Sequence, residues 1–250
     1  MNMTRRICRI ALVLAVMLLP AAGAAVAQIP DEFTNLKVLP ENISKRDLVG
    51  VMRGFAGALG VRCSRCHVGD DPEDLSTFDF ASDDKDEKLV ARGMITMVSE
   101  INDKLIPDAG RIDHEQVQCV TCHRGVRFPV PLPDLILRTI DAKGVDAAVQ
   151  RYRDLREAYY GRSAYDFGAG SLNAVAEALA RQRNDNEGAL TFARLNVENN
   201  PDAAPAHAIE GQLLARTGDT EGAIASLERA LALDPGNEAY QRQLDRLKSP

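Results

Sequence analysis

Two copies of one five-residue pattern, Cys-x-x-Cys-His, constrain this 250-residue chain more than any other feature of its sequence. The first copy runs from Cys63 to His67 and the second from Cys119 to His123. Two thiols at this spacing can each bond to one vinyl group of a single porphyrin, and the histidine that follows can bind its iron. The pattern therefore predicts two covalently bound haem c groups. The predicted attachment residues are Cys63, Cys66, Cys119 and Cys122, and the predicted iron ligands are His67 and His123.

The cysteine pairs by themselves are open to three other interpretations. A four-cysteine zinc site also uses paired Cys-x-x-Cys, but it does not require a histidine directly after each pair. A thioredoxin-like redox motif expects a βαβ setting, which this sequence does not predict. A disulfide across two intervening residues closes a small, strained loop. We favour haem attachment because it accounts for both histidines.

The N-terminal residues are typical of an export signal. Arginines precede an unbroken apolar run over residues 10–19, and Ala25-Val26-Ala27 has the A-x-A pattern of a cleavage site. The apolar run is too short to span a bilayer comfortably. We therefore expect residues 1–27 to be a signal peptide, removed after Ala27 together with Cys8, and the mature protein to be periplasmic with no membrane span.

The charge of the chain restricts its partners. The formal net charge of −6 becomes about −9 when the three signal-peptide arginines are lost. This acidity argues against nucleic acid as a partner, since phosphate binding requires a basic surface. An acidic run shortly after the first motif could attract a basic redox protein, although we favour an ordinary solvated loop. The run consists of Asp70, Asp71, Glu73 and Asp74.

Helical spacing of apolar residues predicts two helices near the motifs. The first begins at Ser44 and ends at Gly60, and the second runs from about Glu87 to Leu105, followed by the helix-breaking Pro107.

The segments around these helices have little periodicity. Residues 69–86 are acidic and predict a surface loop, and Pro129, Pro131 and Pro133 predict a stiff linker. We therefore expect a two-haem cytochrome domain over residues 28–133.

The C-terminal half contains an internal repeat. Residues 171–204 and 205–238 align without a gap at a period of 34, which is the tetratricopeptide signature. Residues 134–168 have a helical pattern that fits a degenerate first unit, and a final helix near Asn237–Lys248 would cap the stack. The sequence therefore predicts an all-α fold with little sheet, in which residues 134–250 form helical repeats that bind protein.

Each iron also needs a sixth ligand or an open position. Met52 lies on the helix before the first motif, and a methionine on an apolar helix face is usually core, so position alone leaves its role open. For the second haem, Met94 and Met97 lie on one helix face and rank equally, with His114 behind them.

The motifs and their surroundings resemble a known family, the cytochrome subunit of bacterial photosynthetic reaction centres, from about Asn35 to Pro131. The second motif block is the more specific part. The residues that carry the resemblance are Met52-Arg53-Gly54-Phe55, Leu59-Gly60-Val61, Val90 to Met97, Ile101-Asn102, both Cys-x-x-Cys-His motifs and Arg124-Gly125.

The resemblance implies a mostly helical fold in which a helix methionine lies over each haem. It implies Met52 as the ligand of the first iron and Met97 as the ligand of the second, with Met94 in a packing role. The family's cytochrome has four haems and no tetratricopeptide tail, whereas this chain has two motifs and such a tail.

We therefore expect an electron carrier that exchanges electrons with redox proteins, including a membrane electron-transfer complex, and is not an enzyme. The first alternative is a haem enzyme of the peroxidase or reductase type, which would need one open iron position. The second is a scaffold or sensor in which the repeats do the main work. A high-spin ferric spectrum would favour the enzyme.

Overall fold

The computed structural model of the protein describes residues 29–110 and 115–249. By their contacts these residues form two units. One comprises the described residues up to Leu48 with Cys63–Met97, and the other comprises Val49–Arg62 with the described residues from Val98 onward. The predicted signal peptide and His114 lie outside the described residues, and the predicted domain boundary after residue 133 stays a prediction. Within the described ranges, no helix combines the length and apolarity needed to cross a lipid bilayer.

Helix α1 spans Lys45–Leu59, as its sequence pattern predicts. Ser44 caps it, because the serine Oγ accepts a hydrogen bond from the Asp47 N–H at 3.2 Å and donates one to the Asp47 carboxylate at 2.7 Å. A side-chain oxygen at this position satisfies a backbone N–H that the first turn leaves unpaired. Gly60 ends the helix with a φ of +65°, a conformation that glycine adopts without steric cost.

The surface loop predicted over residues 69–86 contains a small sheet, which corrects the prediction in part. Strands β1 (Val68–Gly69) and β2 (Phe78–Asp79) pair in antiparallel register, with Gly69 opposite Phe78. The Phe78 ring is buried against the Cα of Gly69, where any side chain would collide with it. Strands of two residues are too short to show an alternating pattern, so periodicity could not reveal them.

The second predicted helix extends past its expected end at Leu105. Helix α2 spans Asp86–Glu100, and the chain continues as a π-helical segment, Ile101–Leu105, and one last helical turn, Ile106–Asp108. In the π segment the Ile106 N–H donates to the Ile101 carbonyl, five residues earlier. Pro107 is tolerated because it lies in the first turn of the last helical piece, where its missing N–H is not needed.

After the second motif, every regular element in the described part of the chain is a helix. Pro133 lies in the first turn of the first of these helices, so it begins a helix and does not belong to the predicted stiff linker. The helices are α4 (Leu132–Lys143), α5 (Val145–Tyr159), α6 (Ala169–Gln182), α7 (Asn186–Asn199), α8 (Ala204–Thr217), α9 (Thr220–Leu233) and α10 (Glu238–Lys248).

The 34-residue repeat of the sequence corresponds to two helix pairs, α6/α7 and α8/α9. Asp185 caps α7 and Asp219 caps α9, and each carboxylate accepts a hydrogen bond from a glycine N–H three residues later, at 2.8 and 2.9 Å. A Cβ on Gly188 or Gly222 would collide with that carboxylate. The repeated Glu-Gly-Ala sequence is therefore a helix-capping device with a physical reason for its glycine.

The helices stack around two clusters of buried apolar side chains. Ile136 of α4, Tyr152 of α5 and Phe192 of α7 are almost completely buried in one cluster, so α4 and α5 pack against the first clear helix pair. Their assignment as a degenerate first unit stays a prediction. Leu244 of α10 packs against Leu227 of α9 in a second, smaller cluster. This last helix covers the end of the stack, as expected of a capping helix.

Candidate functional site: two haem-attachment motifs

The first motif forms a single tight turn. A 3₁₀ turn spans Cys63–Arg65, and the N–H groups of Cys66 and His67 both donate to the Cys63 carbonyl, at 3.1 and 3.0 Å. The two cysteines and the histidine therefore lie within one turn of chain, the compact arrangement that attachment to a single porphyrin requires.

The beginning of helix α2 holds this turn in place. The Lys85 ammonium donates to the Ser64 carbonyl, and the Arg65 guanidinium forms an ion pair with the Glu87 carboxylate at 2.5 Å. Both contacts engage the residues between the two cysteines. The sequence does not reveal these contacts, because the intervening loop separates the partners from the motif along the chain.

His67 is half-buried against the ring of Phe80, a residue that the small sheet places beside it. Strand β1 follows His67 directly, and Phe80, just after β2, lies edge-on to the imidazole with ring centroids 5.1 Å apart. The His67 Nδ1 atom is buried and makes no hydrogen bond of ordinary geometry. Burial and the Lys88 ammonium lower the pKa of His67, although the Phe80 backbone acts in the opposite direction. The lowered pKa favours the neutral imidazole, which is the form that binds iron.

A buried lysine binds the backbone of the loop that carries Phe80. Lys88 of α2 is only 8% exposed, and its ammonium donates to three successive carbonyls, those of residues 80–82. The Asp83 carboxylate lies 3.3 Å away and also accepts hydrogen bonds from Arg92 and Lys37. These cations, Arg92 first, hold the pKa of Asp83 well below its usual value.

The acidic run after the first motif organises its own backbone. Asp71 accepts a hydrogen bond from the Glu73 N–H at 2.9 Å. Asp74 caps a 3₁₀ turn, Leu75–Thr77, by accepting from the hydroxyl and N–H of Ser76, which also lowers the pKa of Asp74. These bonds support the interpretation of the run as a solvated loop.

The second motif is a short helix, α3, spanning Cys119–His123. Its first turn is closed by a hydrogen bond from the Gln118 N–H to the Thr121 Oγ1 at 3.0 Å. It ends with Arg124 and Gly125 in the left-handed conformation, at φ of +49° and +87°. This sharp turn brings the chain back over the histidine.

His123 has the environment expected of an iron ligand. It is 8% exposed, and its Nδ1 lies 3.0 Å from the Val126 carbonyl oxygen. Since a carbonyl can only accept, Nδ1 carries a proton, and in the neutral imidazole Nε2 then holds the lone pair that binds a metal. A second hydrogen bond, from the Val126 N–H to the His123 carbonyl at 2.9 Å, closes the same turn. Metal-binding histidines are commonly oriented by such a backbone carbonyl.

Asn102 fixes the backbone of Val117, two residues before the second motif. From the π segment its amide donates to the Val117 carbonyl and accepts from the Val117 N–H, both at 2.8 Å. A π-helical segment inside an α-helix often marks a functional position. Asn102 belongs to the residues that carry the family resemblance, and that was the one signal in the sequence that could have identified it.

The end of α1 lies against the turn that follows His123. The Gly125 N–H donates to the Ala58 carbonyl at 2.9 Å, and a Cβ on Gly60 would collide with the Gly125 carbonyl oxygen. Both glycines have positive φ. The Leu59-Gly60 and Arg124-Gly125 sequences are therefore two sides of one close backbone contact.

The predicted methionine ligands lie on helices, and their assignment stays a prediction. Met52 is half-buried on α1, whereas Met94 and Met97 of α2 are 37% and 43% exposed. The apolar face of α2 also exposes Val90. Large apolar side chains open to solvent along a helix are suited to cover a flat apolar ligand such as porphyrin.

The donor set of both motifs fits haem c. All four sulfur atoms are present as thiols, and those of Cys63 and Cys122 belong to exposed residues. The Val126 carbonyl orients the His123 imidazole, and the lowered pKa of His67 favours its iron-binding neutral form. In the described ranges, no group of three or more His, Cys, Asp or Glu side chains is placed to hold a metal ion by itself.

Comparison with known proteins agrees with this donor set, which is that of a c-type cytochrome. The family described as photosynthetic reaction centre cytochrome C subunit matches residues 15–150. This chain belongs to that family. The family resemblance and the mostly helical fold are thereby confirmed, and haem c binding and electron transfer between redox partners are typical of such cytochromes.

Two further similarities were found. Cytochrome c-554 of Chloroflexus aurantiacus (strain ATCC 29366 / DSM 635 / J-10-fl) is 32% identical over 135 residues, which are 50% of this chain and 31% of that protein. The chain thus spans about a third of the length of this relative. A solved structure, the first TPR of Spaghetti (RPAP3) bound to an HSP90 peptide, covers 46% of this chain and 86% of that one, with 20% identity and a TM-score of 0.33.

Proposed function

We propose that this protein is an exported two-haem cytochrome that passes single electrons between protein partners in the periplasm. The observation that carries the proposal is the second motif, where the Val126 carbonyl fixes the His123 imidazole with Nε2 left for iron. The first motif has two cysteines and a histidine at the same spacing, again within one turn of chain.

The chain's own residues account for holding and tuning the cofactor. The four thiols would bind the porphyrin covalently, and His67 and His123 would bind the irons. When bound, haem supplies reversible one-electron iron chemistry. Electron transfer through haem needs neither a proton donor nor a nucleophile. The protein's task is therefore to keep the two motifs rigid, and the contacts of Lys85, Glu87 and Asn102 do this.

Haem counting tests the proposal directly. We expect the purified exported protein to carry the mass of two covalent haems. The Cys63→Ala/Cys66→Ala and Cys119→Ala/Cys122→Ala variants should each lose one, because each pair attaches a single porphyrin. Intact-mass analysis with reduced-minus-oxidised spectra measures both outcomes. The control is Ser64→Ala, which changes a residue between the two cysteines of the first motif, keeps both thiols and should leave two haems. A colourless wild-type protein, or one with its bare polypeptide mass, contradicts the proposal.

The location in the periplasm rests on the N-terminal sequence. An n-region with arginines, a short apolar run and an A-x-A pattern are the parts of a cleavable signal. We expect the mature protein to begin at Gln28 and to be released by osmotic shock, which N-terminal sequencing of the released fraction would check. A chain that retains residues 1–27 in the membrane fraction would exclude this location.

We further propose that the helical repeats dock the cytochrome to a protein partner. A groove between α6 and α8 has a floor of small apolar side chains, Ala176 and Ala180, with exposed Arg181 and Arg216 at its rim. Glu177 also lines this groove and pairs with Arg181 at 3.6 Å, so the rim carries one net positive charge, which favours an acidic partner segment lying across it.

The docking proposal predicts a charge-dependent rate. Arg181→Glu/Arg216→Glu should slow reduction of the cytochrome at least tenfold when membranes that contain its electron donor are added at low salt. Charges at the rim of an interface mainly change association rates. Stopped-flow absorbance would follow the haems. The matched control is Arg242→Glu on α10, an exposed arginine paired within its own helix. Equal rates for wild type and the double variant would leave the repeats without this role.

A further inference from the structure

We infer that Lys88 is a positioning residue of the first haem site, and that its buried positive charge raises the reduction potential of the haem bound at His67. The inference rests on the proposed function, since it takes His67 as the ligand of that haem. It concerns a residue that belongs to neither motif.

The Lys88 ammonium fixes the loop that contacts His67. Its three donors are taken up by the carbonyls of Phe80, Ala81 and Ser82, at 2.9, 3.1 and 2.6 Å. An ammonium has three N–H donors, so the group is fully satisfied by this stretch of backbone. A lysine buried in this way orders three residues that have no regular secondary structure of their own.

The ordered loop reaches His67 through one side chain. Phe80 offers its carbonyl to Lys88 and its ring edge to the His67 imidazole, 5.1 Å between centroids. The ring is itself supported by Phe78, stacked 5.6 Å away. Lys88 therefore acts on His67 through Phe80, by fixing the surface against which the imidazole lies.

The charges around Lys88 do not cancel. Its only carboxylate within ion-pair distance among the described residues is Asp83, at 3.3 Å. Asp83 is shared with Arg92 at 2.9 Å and Lys37 at 3.0 Å, so one carboxylate faces three cations. Reduction of iron removes one positive charge from the site. A net positive cluster favours the reduced form. Lys88 and Arg92 contribute most of this effect because they are poorly solvated, whereas Lys37 is largely exposed, and charges act more strongly inside a protein than in water.

Two substitutions with opposite signs test this inference. Lys88→Gln removes the cation and keeps a hydrogen-bond donor, so it should lower the potential of one haem. Asp83→Asn removes the balancing carboxylate at nearly constant shape, so it should raise the potential of the same haem. We expect each shift to be on the order of tenfold in the reduction equilibrium, about 59 mV for a one-electron couple. Lys88→Arg, which keeps the charge, should restore most of the wild-type potential.

Spectroelectrochemical titration of the two-haem protein gives the readout. The component that moves should be the one missing from Cys63→Ala/Cys66→Ala, and the other should stay in place. Asp84→Asn is the matched control, because Asp84 is the neighbouring carboxylate and is exposed. If Lys88→Gln prevents haem attachment at the first motif, Asp83→Asn alone decides the sign.

The inference is overturned if variants that carry both haems show no shift, equal shifts of both components or the opposite signs. A wild-type protein without haem would instead overturn the proposed function. Mass analysis of every variant separates these two failures.

Discussion

Gly60→Ala is expected to destabilise the cytochrome region by about 2 to 5 kcal/mol, combining the cost of a left-handed alanine with that of an overpacked contact. Gly60 has a φ of +65°, and the new Cβ would collide with the Gly125 carbonyl oxygen. Since backbone is on both sides of this contact, no flexible side chain can move away. The displaced segment would be the turn that holds the His123 imidazole through Val126.

Urea unfolding followed at the haem absorption band would measure this effect. The midpoint should fall by about 1 M or more, given the usual dependence of stability on urea. Gly54→Ala is the matched control on the same helix, because its Cβ would meet no atom within 4 Å. It should be neutral or stabilising by up to about 1 kcal/mol, since alanine favours helix. Equal midpoints for the Gly60 and Gly54 variants would contradict the close contact.

The sequence predicted those features that depend on local pattern. Helix α1 and its Ser44 cap follow from spacing and capping chemistry within a few residues. The helix pairs of the repeat follow from an exact period, and their Asp185 and Asp219 caps recur at that period. Local rules suffice for such elements because their hydrogen bonds close within the element itself.

The features that the sequence did not reveal depend on contacts between distant residues. Lys88 looks like any solvent-facing helix lysine in sequence, and its burial follows from the loop of residues 80–82 folding over it. Asn102 reaches Val117 across a separate segment. Polar side chains that bind backbone have no periodicity, so pattern analysis cannot separate them from surface residues.

In the candidate site, too, the residues defined by local spacing are predicted and those defined by long-range contacts are not. The cysteines and histidines were evident from spacing, because porphyrin attachment is a local geometric requirement. The residues that orient them are not evident, since their hydrogen bonds come from whichever element packs nearby. Val126 is an intermediate case, because it lies close to His123 but contributes through a carbonyl that every residue possesses.

Met97→Ala is expected to convert one of the two haems to a high-spin ferric form, whereas Met94→Ala should leave both unchanged. The two methionines lie three residues apart on α2, and both are partly exposed. Their exposure does not separate them, so the expectation follows the family resemblance, which assigns Met97 to iron. Removal of a thioether ligand opens the sixth position and lowers the potential of that haem.

Absorption and electron paramagnetic resonance spectra of the ferric proteins would distinguish the pair. Met97→Ala should lose about half of the thioether-to-iron absorption, and Met52→Ala should lose the other half, because each methionine serves one iron. The double variant should retain none and should bind cyanide rapidly at both haems. If Met94→Ala gives the change and Met97→Ala does not, the ligand lies one helical turn earlier. If neither does, the second iron takes a ligand from outside α2, and the exposed face of this helix serves packing against the porphyrin alone.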